Sequence, residues 1–360
     1  MIPLRLEVTA EADEPFVTRL RDRACNSQPG DSLLIATDGE DATFSGQSGL
    51  LVFEKLPPEG VDGDVIFVSP SEGRAERLFR AGSTHNTLLV TERCDQLCVM
   101  CSQPPKKTHI DRFKIFEAAC LLAPEGALIG ITGGEPTLYK AQLFSLIEQT
   151  LKARPDVGFH VLTNAQHFDA DDLAILRSEP FRSVVWGIPL YAPDAALHDA
   201  IVGKAGAFER LQSSLHVLLL AGARVELRTV LLQSNAPRFP DLGAYVAHRL
   251  RFVEAWSIMQ LEHIGFAKNR WDILYFDHRS DFSLVQIALD RTLVRGLNVR
   301  LFNFPRCSVP PRYRALAASS ISDWKRKFMP DCAGCSEMDR CGGFFEWHPV
   351  DHPSAQVTPL

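Results

Sequence analysis

Three cysteines stand close together in Thr91-Glu92-Arg93-Cys94-Asp95-Gln96-Leu97-Cys98-Val99-Met100-Cys101. Their spacing is C-x3-C-x2-C. Thiolates of one compact loop can bind three irons of a cubane cluster, and the fourth iron then has no protein ligand. An open metal position is what a reactive centre needs, as opposed to a structural one. A zinc loop is the plainer alternative for the same three residues. A second group follows near the end of the sequence: Cys332-Ala333-Gly334-Cys335, then Cys341, with Cys307 upstream behind Phe304-Pro305-Arg306. Four thiolates suffice to close either a [4Fe-4S] cluster or a structural zinc site. Cys25 and Cys120 stand alone, and a lone cysteine is ordinarily a small buried apolar residue.

The elements that must hold these groups show in the hydrophobic rhythm. From residue 86, apolar runs of strand length alternate with helical patterns. The strands expected are Thr87–Thr91, Leu128–Thr132, Phe159–Thr163, Val184–Leu190, Val225–Leu232 and Trp256–Leu261. Between them lie helical stretches Asp111–Leu122, Lys140–Ala153, Asp171–Arg177, Phe208–Ala221 and Asp241–Arg251. Such alternation implies right-handed crossovers and a parallel sheet. Six units suit a partial (β/α)6 barrel better than a closed one of eight. The fold class expected is therefore α/β. Residues 1–85 read instead as a small, mainly β domain, with runs Leu4–Val8, Ser32–Ala36, Leu50–Phe53 and Val65–Val68 between turn clusters. The barrel would occupy 86–295. A helix at Leu284–Val294 and a strand at Asn298–Phe302 lead into a cysteine-rich extension, 296–347. Residues 348–360 are polar, contain proline and are expected to be flexible.

In parallel β/α folds ligands sit at the carboxyl ends of the strands, and the cysteine loop directly follows the first. The second ends in Ile131-Thr132-Gly133-Gly134-Glu135-Pro136, whose glycines permit close backbone approach. The third ends in Leu162-Thr163-Asn164-Ala165; this polar pair either meets a ligand or caps the next helix. The fifth carries Arg228, a partner for a ligand carboxylate or for a structural ion pair. Gln233, Ser234 and Asn235 stand at its end. Tyr191 and His167, also at strand ends, either face the cavity or serve packing and surface.

The cysteine spacing and the Gly-Gly-Glu-Pro segment together resemble the radical S-adenosylmethionine superfamily. That resemblance implies that Cys94, Cys98 and Cys101 hold a [4Fe-4S] cluster whose open iron is chelated by S-adenosylmethionine. Reductive cleavage then yields a 5′-deoxyadenosyl radical that takes a substrate hydrogen. It also implies that Gly133, Gly134, Glu135 and Pro136 meet the cofactor's amino group, with Thr163, Asn164 and Arg228 as further cofactor contacts. The segment Leu261-Glu262-His263-Ile264-Gly265-Phe266-Ala267 would pass under the adenine. The residue before the third cysteine is often aromatic in that superfamily and packs near the adenine; here it is Met100, which fills similar space with a polarisable side chain.

The C-x2-C-x5-C spacing of Cys332, Cys335 and Cys341 resembles the auxiliary-cluster extensions called SPASM and twitch domains. With Cys307, the cysteines allow one auxiliary Fe–S cluster, the shorter twitch type. Its plain roles are electron transfer and holding the extension in place. Local text in Cys101-Ser102-Gln103-Pro104-Pro105-Lys106, Leu162–Phe168 and Cys341-Gly342-Gly343-Phe344-Phe345 resembles the HxsC family of peptide maturases. That likeness implies crosslinking of side chains in a ribosomally made precursor peptide of His-Xaa-Ser type. The partners it implies are an HxsB-like second radical enzyme and an electron donor such as flavodoxin or ferredoxin. A radical enzyme acting on a small molecule or tRNA is the first alternative, and a non-catalytic Fe–S or zinc scaffold the second.

Bulk properties narrow the choice. The 360 residues carry 46% hydrophobic and 23% charged side chains, an ordinary globular balance. A formal charge of -6 disfavours a broad nucleic-acid footprint. The opening residues lack a secretory pattern, and no apolar run spans a bilayer. A cytoplasmic location is expected, where clustered thiols stay reduced and serve metals more often than disulfides.

Overall fold

Alternation with a period of two organises the start of the chain. The computed structural model describes residues 3–23, 27–57 and 59–360, which divide into two compact units. In the first unit, β1 (Arg5–Ala10), β2 (Phe16–Arg21), β3 (Asp31–Asp38), β4 (Asp41–Gly46), β5 (Gly49–Phe53), β6 (Val65–Ser69) and β7 (Arg74–Phe79) close into a barrel. The order round it is β1-β5-β4-β3-β2-β6-β7. Alternate residues fill its interior: Leu6, Val8, Leu20, Phe44, Leu51, Phe53, Ile66 and Val68 form one buried cluster. The Phe44 and Phe53 rings meet edge to face at 5.7 Å. Closure removes the free sheet edges.

The same unit holds β8 (Asn86–Thr91), α1 (Phe113–Leu121), β9 (Leu128–Gly133), α2 (Lys140–Ala153) and the start of β10 (Gly158–Leu162). Arg112, just before α1, lies over the Phe67 and Phe116 rings and pairs with Glu76 at 2.7 Å. Cys120 is fully buried, as a lone cysteine was expected to be. Cys25 lies outside the described residues.

The second unit continues from the end of β10. It contains α3 (Leu173–Leu176), β11 (Val184–Pro189), α4 (Ala195–Val202), α5 (Ala207–Ala221), β12 (Arg224–Leu231), α6 (Phe239–Arg249), β13 (Ala255–Gln260), α7 (Trp271–Leu274), α8 (Ser283–Leu293) and β14 (Asn298–Phe302). Neighbouring strands follow chain order, β8-β9-β10 in the first unit and β10-β11-β12-β13-β14 in the second. β11 through β14 pair in parallel. Strands such as β13 are buried on both faces, with Trp256, Ser257 and Ile258 all inaccessible. The fold is thus mixed α/β with a parallel sheet.

Some elements differ from expectation. Asn298–Phe302, expected within the C-terminal extension, forms β14, which pairs with β13 and makes the strands seven, not six. Helix α4 and strands β2, β4 and β7 have no counterpart in that reading. Residues 348–360 are largely exposed but anchored at two points. Ser354 and Ala355 are buried, and Arg279 donates to the carbonyls of Pro353 at 2.7 Å and Gln356 at 2.8 Å. No helix among the described residues is long and apolar enough to cross a membrane.

Candidate functional site

The turn after β9 places Gly133, Gly134, Glu135 and Pro136 beside the cysteine loop. Gly134 N–H donates to Thr91 O at 2.8 Å, and Glu135 N–H donates to Arg93 O at 2.7 Å. A Cβ on Gly134 would stand 2.1 Å from Arg93 O and 3.0 Å from the Cys94 Cβ. The glycine is needed for the loop's own backbone to approach.

Glu135 is completely buried. Its Oε1 accepts the Thr137 N–H at 2.8 Å, the Thr137 hydroxyl at 2.5 Å and the Thr163 hydroxyl at 2.7 Å. Its Oε2 accepts the Asn164 N–H at 2.5 Å. Burial raises its pKa above the ordinary carboxylate value while these donors oppose the rise. With four donors supplied by the protein, this side chain ties the turn to the end of β10.

The rest of the loop is held by three other segments. Leu97 N–H and Val99 N–H donate to Val202 O at 3.0 Å and Ile201 O at 2.9 Å, the last carbonyls of α4. Phe266 N–H donates to Cys101 O at 2.9 Å, and Arg270 donates to Val99 O at 3.1 Å. Asp95, inside the loop, accepts from Asn164 Nδ2 at 2.7 Å, faces His167 Nε2 at 3.3 Å and is bonded by Lys204. Burial raises the Asp95 pKa, but His167, Lys204 and Asn164 outweigh it and hold the carboxyl well below its usual range.

Cys94, Cys98 and Cys101 are half-buried, free thiols. Burial pushes Cys94 up to about 11 and Cys98 up to about 12, and negative neighbours add to both shifts. Cys101 is raised by burial as well. Thiols held so high are poor free nucleophiles, because nucleophilicity needs the thiolate. A bound metal cation would supply the missing charge.

Met100 is buried in an apolar cluster with Ile201, Leu232, Leu261, Trp271, Leu274 and Tyr275, against which Cys98 and Tyr191 also pack. It therefore serves as core beneath the loop. Burial raises the Tyr191 phenol far above its ordinary value, with Cys98 the next contributor; that places Tyr191 toward the cysteines. Arg228 pairs with Glu226 at 3.2 Å and meets the Met259 sulfur at 3.3 Å. Thr163 and Asn164 are occupied with Glu135 and Asp95. Ala165 is buried with φ of 53°, in the left-handed region.

Cys307, Cys332, Cys335 and Cys341 line one apolar recess, with Phe328, Phe344, Val357 and Pro359 among its walls. Backbone N–H groups point at the sulfurs: Arg306 and Gly343 reach Cys341 at 3.4 Å each, and Leu360 reaches Cys335 at 3.5 Å. Thr358 supplies a backbone hydrogen bond to Cys307. Burial, then the other thiols, raise Cys307 and Cys332. The four cysteines grouped by sequence share this recess, and Val357, Thr358, Pro359 and Leu360, which spacing did not single out, border it or bond to its sulfurs. Among the described residues, no three His, Cys, Asp or Glu side chains meet as the ligands of a single ion would.

No protein-family model matches the chain, and no curated protein matches it. Among solved structures, it is similar to Streptococcus suis SuiB bound to the precursor peptide SuiA, at 16% identity and a TM-score of 0.47. That match covers 60% of this chain and 48% of the other, so the chain spans about half the length of SuiB. It is similar to anSMEcpe with bound AdoMet and a Cp18Cys peptide at 12% identity and a TM-score of 0.48, covering 59% and 62%. A radical SAM methyltransferase from Sphaerobacter thermophilus matches at 14% identity and a TM-score of 0.44, covering 74% and 75%. Likeness of this degree identifies neither the family nor the activity.

Proposed function

We propose that the chain is a radical S-adenosylmethionine enzyme that modifies side chains of a ribosomally made precursor peptide of His-Xaa-Ser type. The observation that carries the reading is the cysteine loop itself. Its three thiols stand in C-x3-C-x2-C order at the end of β8, and its backbone is hydrogen-bonded to the turn after β9, to α4 and to the segment after β13. Three half-buried thiols at this spacing in one hydrogen-bonded loop suit a cluster with an open iron. Cys94, Cys98 and Cys101 would hold a [4Fe-4S] cluster, and Cys307, Cys332, Cys335 and Cys341 one auxiliary cluster of the twitch kind.

Such a cluster, together with S-adenosylmethionine, would supply hydrogen-abstracting radical chemistry on one-electron reduction. The protein's part is position and dryness. Gly134 lets the loop close onto the turn after β9. Glu135 fixes that turn against β10. Met100 and the apolar cluster around it seal the underside of the loop. On this reading the strands form a partial β/α barrel, with its chemistry at their carboxyl ends. An HxsB-like second enzyme would be its partner and flavodoxin or ferredoxin its electron donor.

The test is anaerobic reconstitution with iron and sulfide, followed by S-adenosylmethionine and a one-electron reductant. Release of 5′-deoxyadenosine is expected from the native chain and not from Cys98→Ala. A loss of two hydrogens from a His-Xaa-Ser peptide, read by mass spectrometry, supports the maturase. Cofactor cleavage with unchanged peptide mass sinks the substrate class and leaves the radical enzyme. No cleavage at all leaves only a scaffold.

A further inference from the structure

The end of α4 is shaped to receive the cysteine loop. The last carbonyls of a helix have no partner within it. Here Ile201 O and Val202 O accept the amides of Val99 and Leu97. Gly203 follows with φ of 67°, and a Cβ there would stand 2.6 Å from Leu97 O. One residue on, Lys204 reaches Asp95.

Asp95 lies between the first two cysteines and is the only carboxylate in the run Cys94–Cys101. Its Oδ1 accepts Asn164 Nδ2, and its Oδ2 faces both Lys204 and His167. Three separate segments therefore converge on one side chain: the end of β10, the stretch after it, and the end of α4. The Asp95 side chain is 21% exposed, so these partners are sheltered from water more than a surface ion pair is. Asn164, held by Asp95, brings Nδ2 to 4.0 Å from the Cys94 sulfur.

We infer that Asp95 is a positioning residue, which latches the cysteine loop to Asn164 and Lys204 and so aims the Cys94 sulfur and orders the Asn164 amide beside it. The inference rests on the radical-cluster reading for its metal consequence, but not for the latch. Groups that orient metal ligands are typically worth on the order of 10–100-fold in metal affinity. An amide near a cluster sulfur also alters the electronic structure of the centre.

The experiment uses the full chain with Asp95→Ala, Lys204→Met and Lys204→Arg, each in a background where Cys332 and Cys335 are alanine. Iron then reports the first centre. Asp95→Ala should release iron to a chelator on the order of 10–100-fold faster and change the EPR spectrum of the reduced cluster. The far-UV circular dichroism should stay native. Lys204→Met should fall between, and Lys204→Arg should restore slow release. In the metal-free chain, hydrogen exchange at Leu97 and Val99 should rise several-fold in Asp95→Ala. Native exchange at these amides in that variant overturns the latch. If the parent binds no iron at Cys94, Cys98 and Cys101, the radical-cluster reading fails, and the exchange result still decides the latch.

Discussion

The Thr163 hydroxyl donates to Glu135 Oε1 at 2.7 Å, and both side chains are buried. The bond joins the end of β10 to the turn after β9, and the Asn164 amide reinforces it on the other oxygen. An acidic side chain in a strand-end motif invites a ligand role. The four donors that the protein supplies give this one a place in the scaffold.

Its removal is therefore a stability experiment. Glu135→Gln puts an NH2 among groups that donate, and should destabilise the chain by roughly 2–4 kcal/mol, since bonds to charged groups and unsatisfied buried donors each cost this order. Thr163→Val removes one donor and should cost about 1–2 kcal/mol. Urea unfolding followed by circular dichroism reads both. Equal, near-zero costs would return Glu135 to the ligand-binding candidates.

Gly134→Ala tests the closeness of the loop directly. Its Cβ would meet Arg93 O, a backbone atom that cannot swing aside. The loop must shift, and iron at the first centre should be lost while the second group keeps its own. Total iron should fall by about half if each group holds one cluster of equal size. Full iron content in Gly134→Ala would mean that the loop tolerates the displacement.

The parts that sequence made legible are local. C-x3-C-x2-C, Gly-Gly-Glu-Pro and C-x2-C each lie within a few residues, and spacing alone conveys their chemistry. The parallel strands were readable because burial on both faces makes them near-continuous apolar runs, as in β11. Strands β2 and β4 bury one face only, and Thr18 in β2 and Arg77 in β7 are polar yet buried. Their runs look too polar to notice. Helix α4 did carry a signal, with Asp194 capping its start and Gly203 its end. What no spacing rule conveys is Asp95 with Lys204, 109 residues apart. Likewise, the polar tail after His348 gives no hint that it packs beside Cys307 and Cys335, because its contacts use backbone amides.

Three buried imidazoles predict an acid limit to stability. Burial lowers His198 to about 4, His278 to about 3 and His348 to about 4. His278 is held neutral between Gln260 and Ser308. Each folded value lies below the unfolded one near 6.5, so the unfolded chain binds more protons between the two. Stability is then complete above pH 6.5 and falls as the pH drops toward 4 and 3. The melting temperature of the metal-free chain should decline across that window, and His278→Gln should flatten the decline. An unchanged slope in His278→Gln would show that other groups carry the acid sensitivity.

Arg279 is the clasp of the C-terminal segment. Asp277 holds its guanidinium at 2.7 and 2.8 Å, and the free edges donate to Pro353 O and Gln356 O. The segment so held contributes Val357 and Pro359 to the wall of the cysteine recess, and the Leu360 amide to Cys335. Arg279→Ala should loosen that wall without touching any thiol. After reconstitution, the second centre should bleach several-fold faster in air while the first keeps its native rate, since solvent access governs the lability of such centres. Cys335→Ala should go further and abolish the second centre outright. In that variant, cofactor cleavage with product lost assigns the second centre to the substrate step, and loss of both assigns it to electron delivery or to the fold of the extension. If Cys335→Ala changes neither, the second group has no part in turnover, and the clasp on Arg279 guards structure alone.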